Sequence, residues 1–187
     1  MTIPNSVTSI EYAAFWGCSG LTSIVVENGN TTYDSRNNCN AIIETSTNTL
    51  IQGCQNTIIP NNVTSIGQRA FYYCSGLTSV TIPSSVTSIG MYAFYYCSGL
   101  TSLTIDNGVN SIEGDAFDGC SSLTSVMIPD SVTNIGTNAF TDCSSLISIT
   151  IGNGVTILGI PTGSLTDQRI FDFCDNLTTI NYTGTKA

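Results

Sequence analysis

Histidine is absent from the 187 residues, and only four lysines and arginines occur. Without an imidazole the chain lacks the usual base of Ser–His and Cys–His nucleophilic catalysis. It also lacks the commonest nitrogen ligand of zinc sites. Thirteen acidic residues against four basic ones give a net charge of −9 and a pI near 4.1. Such a surface cannot neutralise a phosphate backbone, so neither nucleic acid nor an anionic membrane is expected as a partner. No apolar run reaches the roughly eighteen residues of a membrane-crossing helix, so no membrane insertion is expected in this segment. No basic-then-apolar signal segment precedes Ile3. Charged residues make up only 9% of the chain. Ser, Thr, Asn and Gly fill the polar positions instead, a composition suited to turns and strand faces.

Against these absences stands one strong presence, internal repetition. Ala70-Phe71-x-x-Cys74 returns at Ala93-Phe94-x-x-Cys97, Ala116-Phe117-x-x-Cys120 and Ala139-Phe140-x-x-Cys143, every 23 residues. Ala14-Phe15-x-x-Cys18 precedes the series and Ile170-Phe171-x-x-Cys174 follows it. After each cysteine of the series comes a Leu-x-x-Φ-x-Φ stretch such as Leu77-Val80-Ile82, and a Val-Thr-x-Ile-like element recurs at Val7–Ile10, Val63–Ile66, Val86–Ile89, Val109–Ile112 and Val132–Ile135. The alternation through Ser79-Val80-Thr81-Ile82 has the period of a strand with Val80 and Ile82 inward. Pro83, like Pro4, Pro60 and Pro129, removes an amide donor and ends the ladder. Val-Thr-Ser-Ile reads as a second short extended segment. From Gly67, Gly90 or Gly136 to the cysteine, the spacing predicts about two helical turns with Ala, Phe and Cys inward. One such coil cannot bury its apolar side alone, whereas stacked coils form one continuous core. Leu77, Val80, Ile82, Val86, Ile89, Ala93, Phe94 and Cys97 are a representative inward set.

The linked pattern Cys-x-x-Leu-x-x-Φ-x-Φ-Pro-x-x-Val-x-x-Ile-Gly-x-x-Ala-Phe-x-x-Cys resembles the BspA-like, Treponema pallidum-type leucine-rich repeats. The resemblance covers nearly the whole chain. It implies an α/β repeat solenoid of about seven or eight right-handed 23-residue coils, with short parallel strands and short helices. It also implies an extracellular or cell-surface protein of bacteria or protozoan parasites, used in attachment and host interaction. Fold and function separate in such scaffolds, so the ligand is not given by it.

Residues 1–187 are expected to form one solenoid, with two departures from the period. The long unit 27–59 holds Asn40–Glu44 and Thr49–Cys54 around the polar turn Thr45–Asn48. It reads as a β-hairpin replacing the helical side of that coil, and it resembles hairpin units that interrupt repeats in the family. If Glu44 faces Thr49, the same register sets Cys39 opposite Cys54, the one pair in which a disulfide is plausible. The second departure is a surface loop within 159–167. Loops on a rigid scaffold carry binding disproportionately, although most insertions are neutral. Neither end shows a polar capping repeat, so the chain is expected to be a fragment of a longer protein.

Six cysteines share one repeat position and read as a column of buried thiols behaving as small hydrophobes. None has the C-x₂₋₄-C spacing of zinc, and no cofactor or metal is expected. Asp115 and Asp118 lie three apart with Asp142 one coil on, but a regular solenoid offers them a surface and no cleft for acid–base chemistry. They read as solvated acids, and no calcium-binding repeat signature surrounds them. The chain is therefore read as non-enzymatic.

The two positions between Phe and Cys carry Trp16, Tyr72, Tyr73, Tyr95 and Tyr96 in the first half, and mostly Asp, Gly and Thr in the second. With Ala, Phe and Cys inward, part of this stripe must reach solvent. Exposed Tyr and Trp typify recognition surfaces, although packing between coils explains rings equally well. The stripe is the candidate binding surface of a non-catalytic recognition or adhesion module for a protein partner. A glycan-binding module and a structural spacer in a surface stalk are the alternatives.

Overall fold

In the computed structural model, residues 1–11, 14–159 and 169–184 are described, and they wind into about seven stacked coils. The loop expected within 159–167 falls, apart from Gly159, outside them. One side of the stack is a column of four-residue parallel strands: Ser79–Ile82, Ser102–Ile105, Ser125–Ile128, Ser148–Ile151 and Thr179–Tyr182. Within the first two strands and within the last three, each residue pairs with its counterpart in the next coil, as Ser79 with Ser102 and Ser125 with Ser148. Val80 and Ile82 are buried while Ser79 and Thr81 are exposed, as the alternation requires. A second column consists of two-residue strands, among them Ser65–Ile66, Ser88–Ile89, Ser111–Ile112 and Asn134–Ile135, with the isoleucine buried in each.

The third side departs from expectation. Apart from a three-residue 3-10 turn at Arg36–Asn38, the described residues contain no helix. Between Gly67 and Cys74 the amides divide their bonds in alternation. Those of Ala70, Tyr72 and Cys74 close three-residue turns within the coil, onto Gly67, Arg69 and Phe71. Those of Arg69, Phe71 and Tyr73 reach the next coil, onto the carbonyls of Met91 (3.1 Å), Ala93 (2.7 Å) and Tyr95 (2.8 Å). Left-handed backbone at Arg69 and Tyr73 (φ 58° and 57°) reverses the local direction and makes this possible. Later coils repeat it at Tyr92 and Tyr96, Asp115 and Gly119, and Asn138 and Asp142. A helix sends every amide to its own i−4 carbonyl and leaves none for the neighbour. The inward set Ala, Phe, Cys at i, i+1 and i+4 fits a helical face and this turn run alike, which is why the sequence suggests a helix.

Strand spacing sets the stacking distance inside. Phe71, Phe94, Phe117 and Phe140 form a column of near-parallel rings with centroids 4.7, 5.1 and 5.3 Å apart. Beside it, the thiols of Cys97, Cys120, Cys143 and Cys174 point at the carbonyls of Phe71, Phe94, Phe117 and Phe140 in the coil before, at 3.1–3.4 Å. Burial pushes the Cys74 thiol up to about 11 and raises those of Cys97 and Cys120 as well. Cys18 is the exception to the buried column. It is exposed, with Phe15 and Leu21 only half-covered, because that coil lies at the end of the stack.

The hairpin lies elsewhere than expected. Ile42–Glu44 and Thr49–Gln52 join the second strand column, with Leu50 paired to Ile66, and do not simply replace the turn side. Past the strand, the Gly53 amide bonds Ala70, and Phe71's ring lies where a Gly53 Cβ would stand, 2.0 Å from its nearest carbon. The hairpin thus caps the phenylalanine column. It also divides the interior. Ile43, Leu50 and Cys39 pack into the main cluster, while Ile42 and Cys54 pack with Ile3, Ile24, Val26 and Tyr33 in a smaller one. The expected continuous core is therefore in two parts, one on each face of the hairpin.

Candidate binding surface

Because coils stack in register, equal residues at equal repeat positions must come face to face. Tyr72 stacks on Tyr95 (5.0 Å, 9°) and Tyr73 on Tyr96 (5.3 Å, 22°). Trp16 meets Tyr72 edge-on at 5.6 Å and extends the row by one coil. All five sequence-nominated aromatics are thus brought together on the turn side. Trp16 is 65% and Tyr73 37% exposed, and Tyr72, Tyr95 and Tyr96 are half-buried. They both pack against each other and reach solvent.

Two members of the face were not anticipated. Tyr92 lies edge-on to Tyr95 at 5.3 Å, and the Arg69 guanidinium sits 4.6 Å from the Tyr92 ring centre and 5.4 Å from that of Tyr72. Arg69 and Tyr92 share one repeat position, two residues after Gly67 and Gly90, so extending the alignment by that column would have found them. A guanidinium over two rings is held by the rings' quadrupoles and by contact.

Towards the C-terminal coils the same face turns acidic. The Tyr96 ring lies flat over Gly119, where a Cβ would come within 2.6 Å of it. Its hydroxyl donates to Asp142 Oδ2 at 3.4 Å. Asn138 Nδ2 donates to Asp115 Oδ1 at 3.1 Å. Burial, and then the neighbouring Asp115 and Asp142, push the Asp118 carboxyl up to about 7. Burial, and then Asp118, push the Tyr95 phenol up to about 12, so it stays a neutral donor. Among the described residues, no group of three or more His, Cys, Asp or Glu side chains is arranged to hold a metal.

Where the row meets the hairpin there is a cavity of about 210 Å³. Phe15, Trp16 and Tyr72 give it aromatic walls, and Glu11, Glu44 and Gln52 give it polar ones. Trp16 and Tyr72 share a repeat position, but Glu44, Ile51 and Gln52 come from the hairpin, which has no counterpart in the regular coils. The sequence reading did not find it.

Cys39 and Cys54 are both buried free thiols. Glu44 does face Thr49, but a bulge between Ile42 and Ile43 shifts the register before the cysteines are reached. Cys39 Sγ points to the Ala41 carbonyl and Cys54 Sγ to that of Asn40, and the two belong to different clusters. The strand face, by contrast, presents mostly small side chains: Ser79, Thr81, Ser102, Thr104 and Ser125 are exposed, with the larger Met127 and Ile147 exposed further along it.

A family model described as the BspA type leucine rich repeat region matches residues 1–53 and 48–162, with six copies. A leucine rich cell surface protein from Faecalibacterium prausnitzii has a similar structure, with a TM-score of 0.80 and 32% identity over all of this chain and 48% of its own. The pneumococcal vaccine antigen PcpA shares the fold at a TM-score of 0.79 and 23% identity, over 98% of this chain and 45% of its own. The T. pallidum leucine rich repeat protein aligns over 74% of this chain and 77% of its own, with 27% identity and a TM-score of 0.63. The chain spans about half the length of the first two proteins. Comparison with curated protein sequences gave no match.

Proposed function

This chain belongs to the BspA-type leucine-rich repeat family, and from that premise and the turn-side geometry we propose a non-catalytic recognition module that binds a protein partner at the cell surface or outside the cell. The observation that carries the reading is the in-register row Trp16, Tyr72, Tyr95, Tyr73 and Tyr96. Rings locked by stacking lose little conformational freedom when a partner covers them, and Trp and Tyr dominate binding hot spots. The serines and threonines of the strand face supply hydrogen bonds but little apolar area. An extracellular placement is supported by the F. prausnitzii relative, which is described as a cell surface protein.

A glycan is the second reading, favoured by the flat tyrosine faces and by the Tyr95 phenol, which remains a neutral donor. Arrays of extracellular proteins and of glycans, probed side by side with the wild-type chain and a Trp16→Ala/Tyr95→Ala variant, separate the two. The proposal expects protein spots that the variant loses. Glycan spots alone would transfer the site to sugars, and silence on both arrays would favour a spacer.

A further inference from the structure

We infer that the cavity between the first coil and the hairpin receives a single lysine or arginine side chain from a basic segment of the partner. The inference rests on the recognition reading and specifies the chemistry of one end of that surface.

Size is the first argument. A cavity of about 210 Å³ lies below the roughly 300–1,000 Å³ of sites that enclose whole small ligands. It accommodates one side chain entering from outside, with the rest of the partner lying along the tyrosine row.

Chemistry is the second. Phe15, Trp16 and Tyr72 line the space together with the carboxylates Glu11 and Glu44. Glu44 accepts the Thr47 hydroxyl at 2.6 Å and Glu11 the Ser9 hydroxyl at 3.0 Å, so each carboxylate is held in place with acceptor capacity left over. An apolar side chain entering here would strip water from two carboxylates and give nothing in return. A cation on an aliphatic stem satisfies both walls, its stem on the rings and its head between the acids.

The third argument is that the surface already does this with a residue of its own. Arg69, at the cavity's inner edge, lays its guanidinium over Tyr72 and Tyr92. Among the described lining residues Arg69 is the single cation beside the two carboxylates, and its guanidinium lies against the Tyr72 and Tyr92 rings. The net charge of −9 further favours the approach of a basic segment.

Trp16, the single tryptophan of the chain, lies in the cavity wall and reports on it directly. Its emission is followed while acetyl-Gly-Arg-Gly-amide, acetyl-Gly-Lys-Gly-amide, the neutral acetyl-Gly-citrulline-Gly-amide and maltotriose are titrated in turn. The cationic peptides are expected to give saturable changes, and the citrulline peptide to bind at least about threefold more weakly. Glu44→Gln is expected to weaken the arginine peptide by roughly threefold to tenfold, and raised salt to weaken it further. Glu11→Gln, at an exposed position, gives the same test should the Glu44 change disturb the hairpin. Equal binding of the arginine and citrulline peptides overturns the inference, as does saturation by maltotriose alone or by no probe. If array proteins are captured through the tyrosine row while the arginine peptide leaves Trp16 unchanged, the inference fails and the recognition reading stands.

Discussion

Phe94 is the place where the stacked-coil account commits most energy to one side chain. Its ring is fully buried, with Phe71 4.7 Å away on one side and Phe117 5.1 Å away on the other, nearly parallel to both. Phe94→Ala removes a buried ring, a change that costs roughly 3–5 kcal/mol in well-packed cores. Here it also breaks two aromatic contacts, each worth about 0.5–1.5 kcal/mol beyond area, so the upper end of that range is expected. Phe171 is the internal control. It is only half-buried and has one ring partner in the column, Phe140, at 6.1 Å and 20°. Phe171→Ala is expected to cost about 2 kcal/mol or less. Urea unfolding followed by circular dichroism measures both, with the midpoint and the slope fitted separately. The middle of a solenoid couples the coils on either side, so Phe94→Ala should also broaden the transition, whereas Phe171→Ala should leave its slope unchanged. Equal losses in the two variants, or a Phe94 loss below about 1.5 kcal/mol, would refute the argument that ring stacking between coils holds the solenoid together.

Gly53→Ala would drive a methyl into the Phe71 ring, so it is expected to destabilise by about 1–3 kcal/mol in the same urea assay; a neutral effect would show that Gly53 does not cap the column. Native-state titration with Ellman's reagent is expected to find one fast thiol, Cys18, with the other seven reacting only on unfolding; several fast thiols would contradict the buried column. Mapping without reductant should find Cys39 and Cys54 unjoined, because the bulge moves them out of register. Asp118 holds its proton up to about pH 7 when folded but releases it near 3.8 in an ordinary environment, so the folded state binds the extra proton between those values. Stability should therefore fall as pH rises from 4 to 7 and level off above. Asp118→Asn should be more stable than wild type at pH 8, by about 1 kcal/mol after screening at a half-exposed site, and equal to it at pH 4. The same difference at both pH values would rule this out.

Much of this architecture was written in the repeat. Leu77, Val80, Ile82, Val86, Ile89, Ala93, Phe94 and Cys97 are all buried, because inward spacing and stacking together leave them no alternative. The turn side was not legible as such. Among the described residues its left-handed positions are filled by Arg69, Tyr73, Tyr92, Tyr96, Asp115, Asn138, Asp142 and Phe173, and only Gly17 and Gly119 carry the usual residue for that backbone. The bonds to the neighbouring coil hold these residues there, and no local propensity records such bonds. Exposure at the stack's ends was equally hidden. Cys18 is exposed, and so are Ile180 and Tyr182, which stand at positions that are inward in the middle coils. The repeat pattern says what a coil offers and nothing about whether a neighbour covers it. The tyrosine row could be read because one repeat position generates it. The cavity could not, since it arises where that periodicity is broken.

The central claim is that a partner is bound on the tyrosine row and not on the strand face. Affinity for a captured partner protein, measured by calorimetry, tests it with two double variants, one on each face. Tyr73→Ala/Tyr96→Ala is expected to weaken binding by at least about 2 kcal/mol, the scale of an aromatic hot spot, while Ser79→Lys/Thr104→Lys leaves it within about 0.5 kcal/mol. Unchanged affinity in the tyrosine variant, with binding abolished in the lysine variant, would contradict the account and move the site to the strand face.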